Sequence, residues 1–228
     1  MKEGRIFLFK GNKRYFYGEI KKKMMKRFTL IILFLLFKLI TSAQNISKVF
    51  DKEEPLTYFG LDFYKAKLIG NFGSTPIVLI PQWNYNVASN QKRFDIQGSF
   101  NKKVIKYDMD PVVVRNDSIK KNKLMGYNNA LLTDEEIQQE INVLPVGEMK
   151  NGMGVIFLVD YINKNEGISA VNITFFDIAT KHIYFSQIME GEPGGVSLQN
   201  YFIKAIEDIL IQIKGGEFNK WKRNYTDK

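Results

Sequence analysis

The sequence predicts an α+β domain, a single mixed, largely antiparallel sheet of about five strands with helices packed on one face. Three observations lead there. Residues 155–162, 170–178 and 182–189 are β-rich runs joined by short Asn/Lys/Gly and Ala/Thr/Lys turns, and connections that short favour an antiparallel meander. From Ser197 onward, Tyr201, Phe202, Ala205, Ile206, Ile209, Leu210 and Ile213 recur at helical spacing, while Lys204, Glu207, Asp208 and Gln212 take the other face. Helix-start signals also stand between the earlier strand-like runs, and such helices need a sheet face to cover their apolar stripes.

Taken in order, residues 61–69 alternate enough to form a first strand, with Phe63, Lys65, Lys67 and Ile69 on one side and Gly70 and Gly73 as the stop. Thr75 followed by Pro76 is a helix start, because proline at the first helical position loses no hydrogen bond. The helix is expected over residues 77–89, with Pro81 either in its first turn or as a break. Residues 103–107 and 111–115 then suggest one strand interrupted by Asp108 and Asp110. Thr133 and Glu136 have the spacing of a capping box, so a helix follows to about Leu144. The meander comes next, then the terminal helix, ended by Gly215 and Gly216 where positive φ is tolerated.

The front of the chain differs from the rest. Residues 1–43 hold 11 of the 33 Lys and Arg and 2 of the 24 Asp and Glu, which leaves 22 basic residues against 22 acidic in residues 44–228. The overall charge of +9 therefore belongs to the front segment, and the remainder lacks the basic excess a nucleic-acid binder needs to release counterions. Lys21, Lys22, Lys23, Lys26 and Arg27 form a positive region ahead of an apolar run from Phe28 to Ile40, interrupted only by Lys38. That run is shorter than the roughly 20 residues needed to cross a bilayer, yet it fits the apolar part of a secretory signal. Thr41, Ser42 and Ala43 supply small residues for cleavage. The expectation is a signal peptide over residues 1–43, with translation starting near Met24 or Met25 and one globular domain over residues 44–228. Its location would be periplasmic or extracellular after cleavage near Ala43, touching a membrane only through an uncleaved leader.

Side chains suited to chemistry are few. With no cysteine there is no disulfide, thiolate site or cysteine nucleophile, and His182 as the sole histidine rules out a triad or a two-histidine metal site within this chain. No catalytic residue, metal or cofactor is expected. Gly70 to Thr75 lacks both the glycine spacing and the lysine of a phosphate loop, and reads as a β-to-α turn. Gly194 and Gly195 precede the terminal helix, where backbone N–H groups could meet an anion, with Glu192 and Asn200 beside them. Trp83 and Tyr85 are candidates for stacking on a sugar or a partner surface. Glu190, Glu192 and Asp177 are the carboxylates that a hydrolase would draw on.

Residues 175–181 (Phe-Phe-Asp-Ile-Ala-Thr-Lys), Gly191 to Gly195 and Asn200-Tyr201 resemble a group of exported bacterial cell-envelope proteins of unknown function, with Asp62 to Lys67 as a looser match. The order of elements is also similar to small α/β accessory modules of the cell envelope, such as the N-terminal module of the TolB type. These resemblances imply an envelope location and carry no site with them. Together with the sequence they favour an exported non-catalytic module that binds a protein or cell-surface component. The alternatives are a periplasmic carboxylate-dependent hydrolase, or a small anionic-ligand binder at the Gly194-Gly195 turn. N-terminal sequencing of the exported protein should begin within a few residues of Gln44; a product from the envelope that begins at Met1 would contradict the leader.

Overall fold

The computed structural model describes residues 46–73, 76–147 and 151–226, together with Met25. The chain divides into units 1–44 and 45–228, and the expected leader lies, Met25 apart, outside the described residues. In chain order the second unit contains β1 (Leu56–Asp62), β2 (Lys67–Ile69), α1 (Pro76–Ser89), α2 (Ile96–Ser99), β3 (Ile105–Tyr107), α3 (Asp110–Asp117) and α4 (Lys121–Leu124). There follow α5 (Asp134–Asn142), β4 (Met153–Asn163), β5 (Ile168–Asp177), β6 (Ile183–Gly191), α6 (Leu198–Gln212), a π-helical turn (Ile213–Glu217) and α7 (Phe218–Thr226). The strands form one mixed sheet in the order β3-β1-β4-β5-β6, with β2 extending the line of β1 along β4. β1 is parallel to β3 and β4, while β4, β5 and β6 make the expected antiparallel meander.

All eleven residues of β4 are buried. Val155, Phe157 and Val159 enter the larger core with Phe63, Trp83, Phe202 and Ile206; Ile156 and Leu158 face the other way, onto Val112, Ile137 and Ile141. The principal helix layer, α1 and α6, thus covers one face, and α3 and α5 cover the opposite one. A strand covered on both faces reads as a continuous apolar run, as residues 155–159 do.

Several elements depart from the sequence reading. The strand expected at residues 111–115 is α3, since Asp110 and Pro111 occupy its first turn and Val112 is buried beneath it. Proline there forfeits no hydrogen bond and the acidic side chain suits the helix N-terminus, which together override three successive β-branched valines. α1 starts at Pro76 and continues through Pro81. Thr133 and Glu136 make the expected capping box, with Glu136 N–H donating to Thr133 Oγ1 at 3.2 Å and Thr133 N–H to Glu136 Oε2 at 3.0 Å. Gly216 does break the helix, at φ +150°, but α7 follows and returns Phe218 and Trp221 to the core.

The strand expected over residues 61–69 is instead two strands separated by a break at residues 63–66, and side-chain amides tie down the chain there. Asn84 Oδ1 of α1 accepts from Leu61 N–H and its Nδ2 donates to Leu61 C=O, both at 2.8 Å. Asn116 of α3 does the same for Phe63 N–H at 2.9 Å and Leu61 C=O at 2.9 Å. Gly60, at φ +102°, lets Asn84 approach, because a Cβ would lie 2.7 Å from Asn84 Oδ1. Beneath the break, buried Arg115 bridges Asp62 at 2.7 Å and Glu140. Removing one partner of such a buried pair typically costs about 3–5 kcal/mol, because the other charge is left uncompensated.

A bulge in β4 carries a buried acid. Val159 pairs with Val171 and Tyr161 with Ala170, leaving Asp160 as the extra residue. Its carboxyl accepts from Leu132 N–H at 3.3 Å and from Asn172 Nδ2 at 2.7 Å, and burial pushes its pKa up to about 7. The folded form therefore holds a proton that the unfolded chain releases near its ordinary 3.8. Stability falls as pH rises between those values and levels off above the upper one, by on the order of 4 kcal/mol at most. Denaturant melts at pH 5 and pH 8 should show Asp160→Asn gaining stability relative to the parent at the higher pH; an unchanged difference would contradict the assignment.

Candidate functional site

The sheet ends in two unequal edges. β3 is three residues long, whereas β6 spans nine and contains no Pro, Lys or Arg, the residues that commonly guard an edge. Its regular pairing with β5 runs from Phe185 opposite Phe175 to Gly191 opposite Ser169, and a bulge places Tyr184 outside that register. Among the described residues no strand pairs with its outer side. Two carbonyls of this strand accept from side-chain amides: Ile188 C=O from Gln187 at 3.2 Å, and Glu190 C=O from Gln212 at 2.9 Å. Because backbone direction alternates along a strand, Ser186, Ile188 and Glu190 present their polar groups outward.

Beside that edge runs a groove of about 310 Å³ lined by Ile183, Tyr184, Phe185 and Ser186, with Ile137 and Gln138 of α5 on one flank and Tyr225 of α7 on the other. Ile183 packs with the Ile137 cluster on one face of the sheet and Phe185 with the core on the other, so the groove that both line opens along the edge itself. The walls are firm. Phe185 packs edge-on to Tyr225 at 5.1 Å and tilts against Trp221 at 5.2 Å. Tyr184 donates its hydroxyl to Asp177 Oδ2 at 2.8 Å, and burial together with that bond raises its pKa.

The residues picked from sequence fall in three places. Trp83 is fully buried, stacked with Phe63 and Phe202, and its Nε1 donates to Gln199 C=O at 3.0 Å and Leu198 C=O at 3.3 Å. It pins the start of α6 and has no ring face to offer a sugar, which corrects the stacking expectation. Tyr85 stands apart from it on α1, 68% exposed. Glu192, Gly194, Gly195 and Asn200 do gather at the turn between β6 and α6, at the far end of the same edge. There Gly194 N–H donates to Tyr201 C=O at 2.9 Å, and Glu192 N–H to Asp208 Oδ2 at 3.1 Å. Both amides are engaged within the chain and the carboxylates of Glu192 and Asp208 stand close by, an arrangement suited to holding the turn. Gly195 adopts φ +112°, and a Cβ on it would come within 3.3 Å of Asn200 Cβ.

Asp177 does not converge with Glu190. Asp177 ends β5 at the hairpin, where hydrogen bonds from Thr180 and Tyr184 outweigh burial and lower its pKa. Glu190 lies opposite Ala170 at the other end of the hairpin and accepts from Tyr161 Oη at 3.0 Å. Seven residues of strand separate the two ends, on the order of 20 Å, against the 5–10 Å that a glycoside-hydrolysing pair spans. Exposed His182 sits at the same hairpin, 5.8 Å from the Tyr184 ring. Among the described residues no group of three or more His, Cys, Asp or Glu is arranged to hold a metal, and no helix is long and apolar enough to cross a membrane.

No family model matches this chain, and no curated protein does. Among solved structures it is similar to the LpoB C-terminal domain from Salmonella enterica, at 10% identity and a TM-score of 0.30, over 66% of this chain and 95% of that one.

Proposed function

We propose that this chain is an exported, non-catalytic binding module of the cell envelope that engages a protein partner by pairing a strand of that partner with the outer edge of β6. The observation that carries the reading is the groove, whose floor is four consecutive residues of an edge strand and whose flanks are helices from both faces of the sheet. Such an edge offers main-chain hydrogen bonds for affinity, while the flanking side chains select among sequences. The regular stretch from Phe185 to Glu190 would take an extended segment of about six residues. Its far end reaches Glu192, Gly194 and Gly195, so the turn singled out from sequence belongs to the rim of the same surface. The leader read in residues 1–43 supports the envelope half of the proposal.

Proline at position 186 removes an outward N–H and is tolerated at a sheet edge. A photoreactive residue at Tyr225 should yield a discrete adduct in envelope extracts. Ser186→Pro should abolish that adduct while the melt stays cooperative, shifted down by loss of the 2.9 Å bond between the Ser186 and Thr174 hydroxyls, and Ser186→Lys, which places a guarding charge on the edge, should do the same. An adduct that persists in both folded variants would contradict strand pairing at β6.

A further inference from the structure

A second concave site lies beyond the carboxyl end of β1, where the chain breaks before resuming as β2. It has a volume of about 470 Å³ and is lined by Tyr64, Lys65, Lys67, Ser118, Ile119, Lys120 and Lys123. Four of its seven lining residues are lysines, in a domain whose basic and acidic residues balance overall. Lys65 Nζ stands 3.5 Å from Glu140 Oε1, and Lys67 Nζ donates to Lys123 C=O at 2.8 Å. Among the described residues, no carboxylate forms an ion pair with Lys67, Lys120 or Lys123.

The acids close to this cavity are already engaged. Asp62 and Glu140 both bind Arg115, whose guanidinium lies 4.7 Å from the centre of the Tyr64 ring. Two carboxylates, Arg115 and Lys65 sum to zero, which leaves the ammonium groups of Lys67, Lys120 and Lys123 as the excess. The carboxyl end of α3 adds a partial negative charge, and exposed Asp117 lies on its last turn, but three full cations outweigh a terminal dipole and one solvated acid. Like charges held around one concavity repel each other, and a bound anion relieves that repulsion.

The location fits as well. β1 and β4 run parallel side by side, and the chain goes on from β1 to β3 on one side and from β4 to β5 on the other. Crevices at the carboxyl ends of parallel strands, where the connections diverge, are where open sheets hold ligands. The volume falls within the range of small-molecule sites.

We propose that this cavity binds a phosphate-bearing, multiply charged anion through Lys67, Lys120 and Lys123, with Lys65 at its margin; the Ser118 hydroxyl is spent on Arg115 C=O at 2.6 Å and takes no part. Lysine supplies point charges without the fixed fork of arginine, so the site selects charge density and tolerates variation in the ligand's shape. The same chemistry is offered by a soluble polyphosphorylated compound and by the head group of an anionic phospholipid. This site is independent of the β6 edge, and either proposal can fail alone.

The test is calorimetric titration of the full chain with inorganic tripolyphosphate, alongside co-sedimentation with phosphatidylglycerol or phosphatidylcholine vesicles. Saturable binding of tripolyphosphate is expected, weakened at least tenfold in Lys120→Ala/Lys123→Ala and by raising salt from about 50 to 200 mM, while Lys220→Ala/Lys222→Ala on α7 binds like the parent. The melting curve of each variant establishes that it is folded. Retention on phosphatidylglycerol vesicles alone, displaced by tripolyphosphate and lost in the cavity variant, identifies a lipid head group. Tripolyphosphate binding without vesicle retention identifies a soluble ligand. No saturable binding of either probe, or binding of equal strength in the folded cavity variant, overturns the proposal.

Discussion

Burial of β4 on both faces is the constraint from which the rest of the molecule follows. A strand of eleven buried residues needs hydrogen-bonded neighbours on both sides and apolar cover above and below. β5 and β6 meet the first need on one side through tight turns, which is cheap in chain length. On the other side β1 runs parallel, so a crossover must carry the chain between the two strands; it supplies α1 to one face and α3 and α5 to the other, and α6 joins α1 after β6. Covering β4 therefore decides where the sheet stops. It ends on one side in a three-residue strand, and on the other in the longer edge of β6.

The crossover has a second consequence. β1 does not continue smoothly beside β4; it breaks at Phe63, and the freed backbone groups are met by Asn84 and Asn116. An unpaired buried amide or carbonyl would cost about 1–3 kcal/mol, so these two side chains make the break tolerable. Arg115 and two acids then fill the space beneath it, with partly exposed Tyr64 against the guanidinium. Outside this buried cluster lie the lysines of the cavity, so the strand break that packing permits is also what makes the concavity.

Regular, single-purpose elements were legible in the sequence. The meander, α6 and the capping box of α5 each carried their own periodicity or cap, and all three are present. α3 was misread because Val112, Val113 and Val114 favour a strand locally, while the decisive features were Asp110 and Pro111 just ahead of them. α7 went unseen because Gly215 and Gly216 end one helix without announcing another, and only Phe218 and Trp221 signal that the chain returns to the core. Trp83 and Tyr85 looked alike as aromatic neighbours, yet helical positions two apart point in different directions and only one of them is exposed. The edge groove joins residues from three elements distant in sequence, and the lysine cavity joins residues 64–67 with 118–123; neither grouping has a local pattern to betray it.

One sheet holds both an interior strand, β4, locked on every side and an outer strand, β6, with one side open. Amide hydrogen exchange reads that contrast directly, because a backbone N–H exchanges from the native state when nothing in the chain holds it. In the free protein the outward amides of Ser186 and Ile188 should exchange rapidly, while those of Phe157 and Val159 exchange only through global unfolding. Protection at Ile188 equal to that at Phe157 would mean that the edge of β6 is already occupied, and the proposed partner surface would not exist.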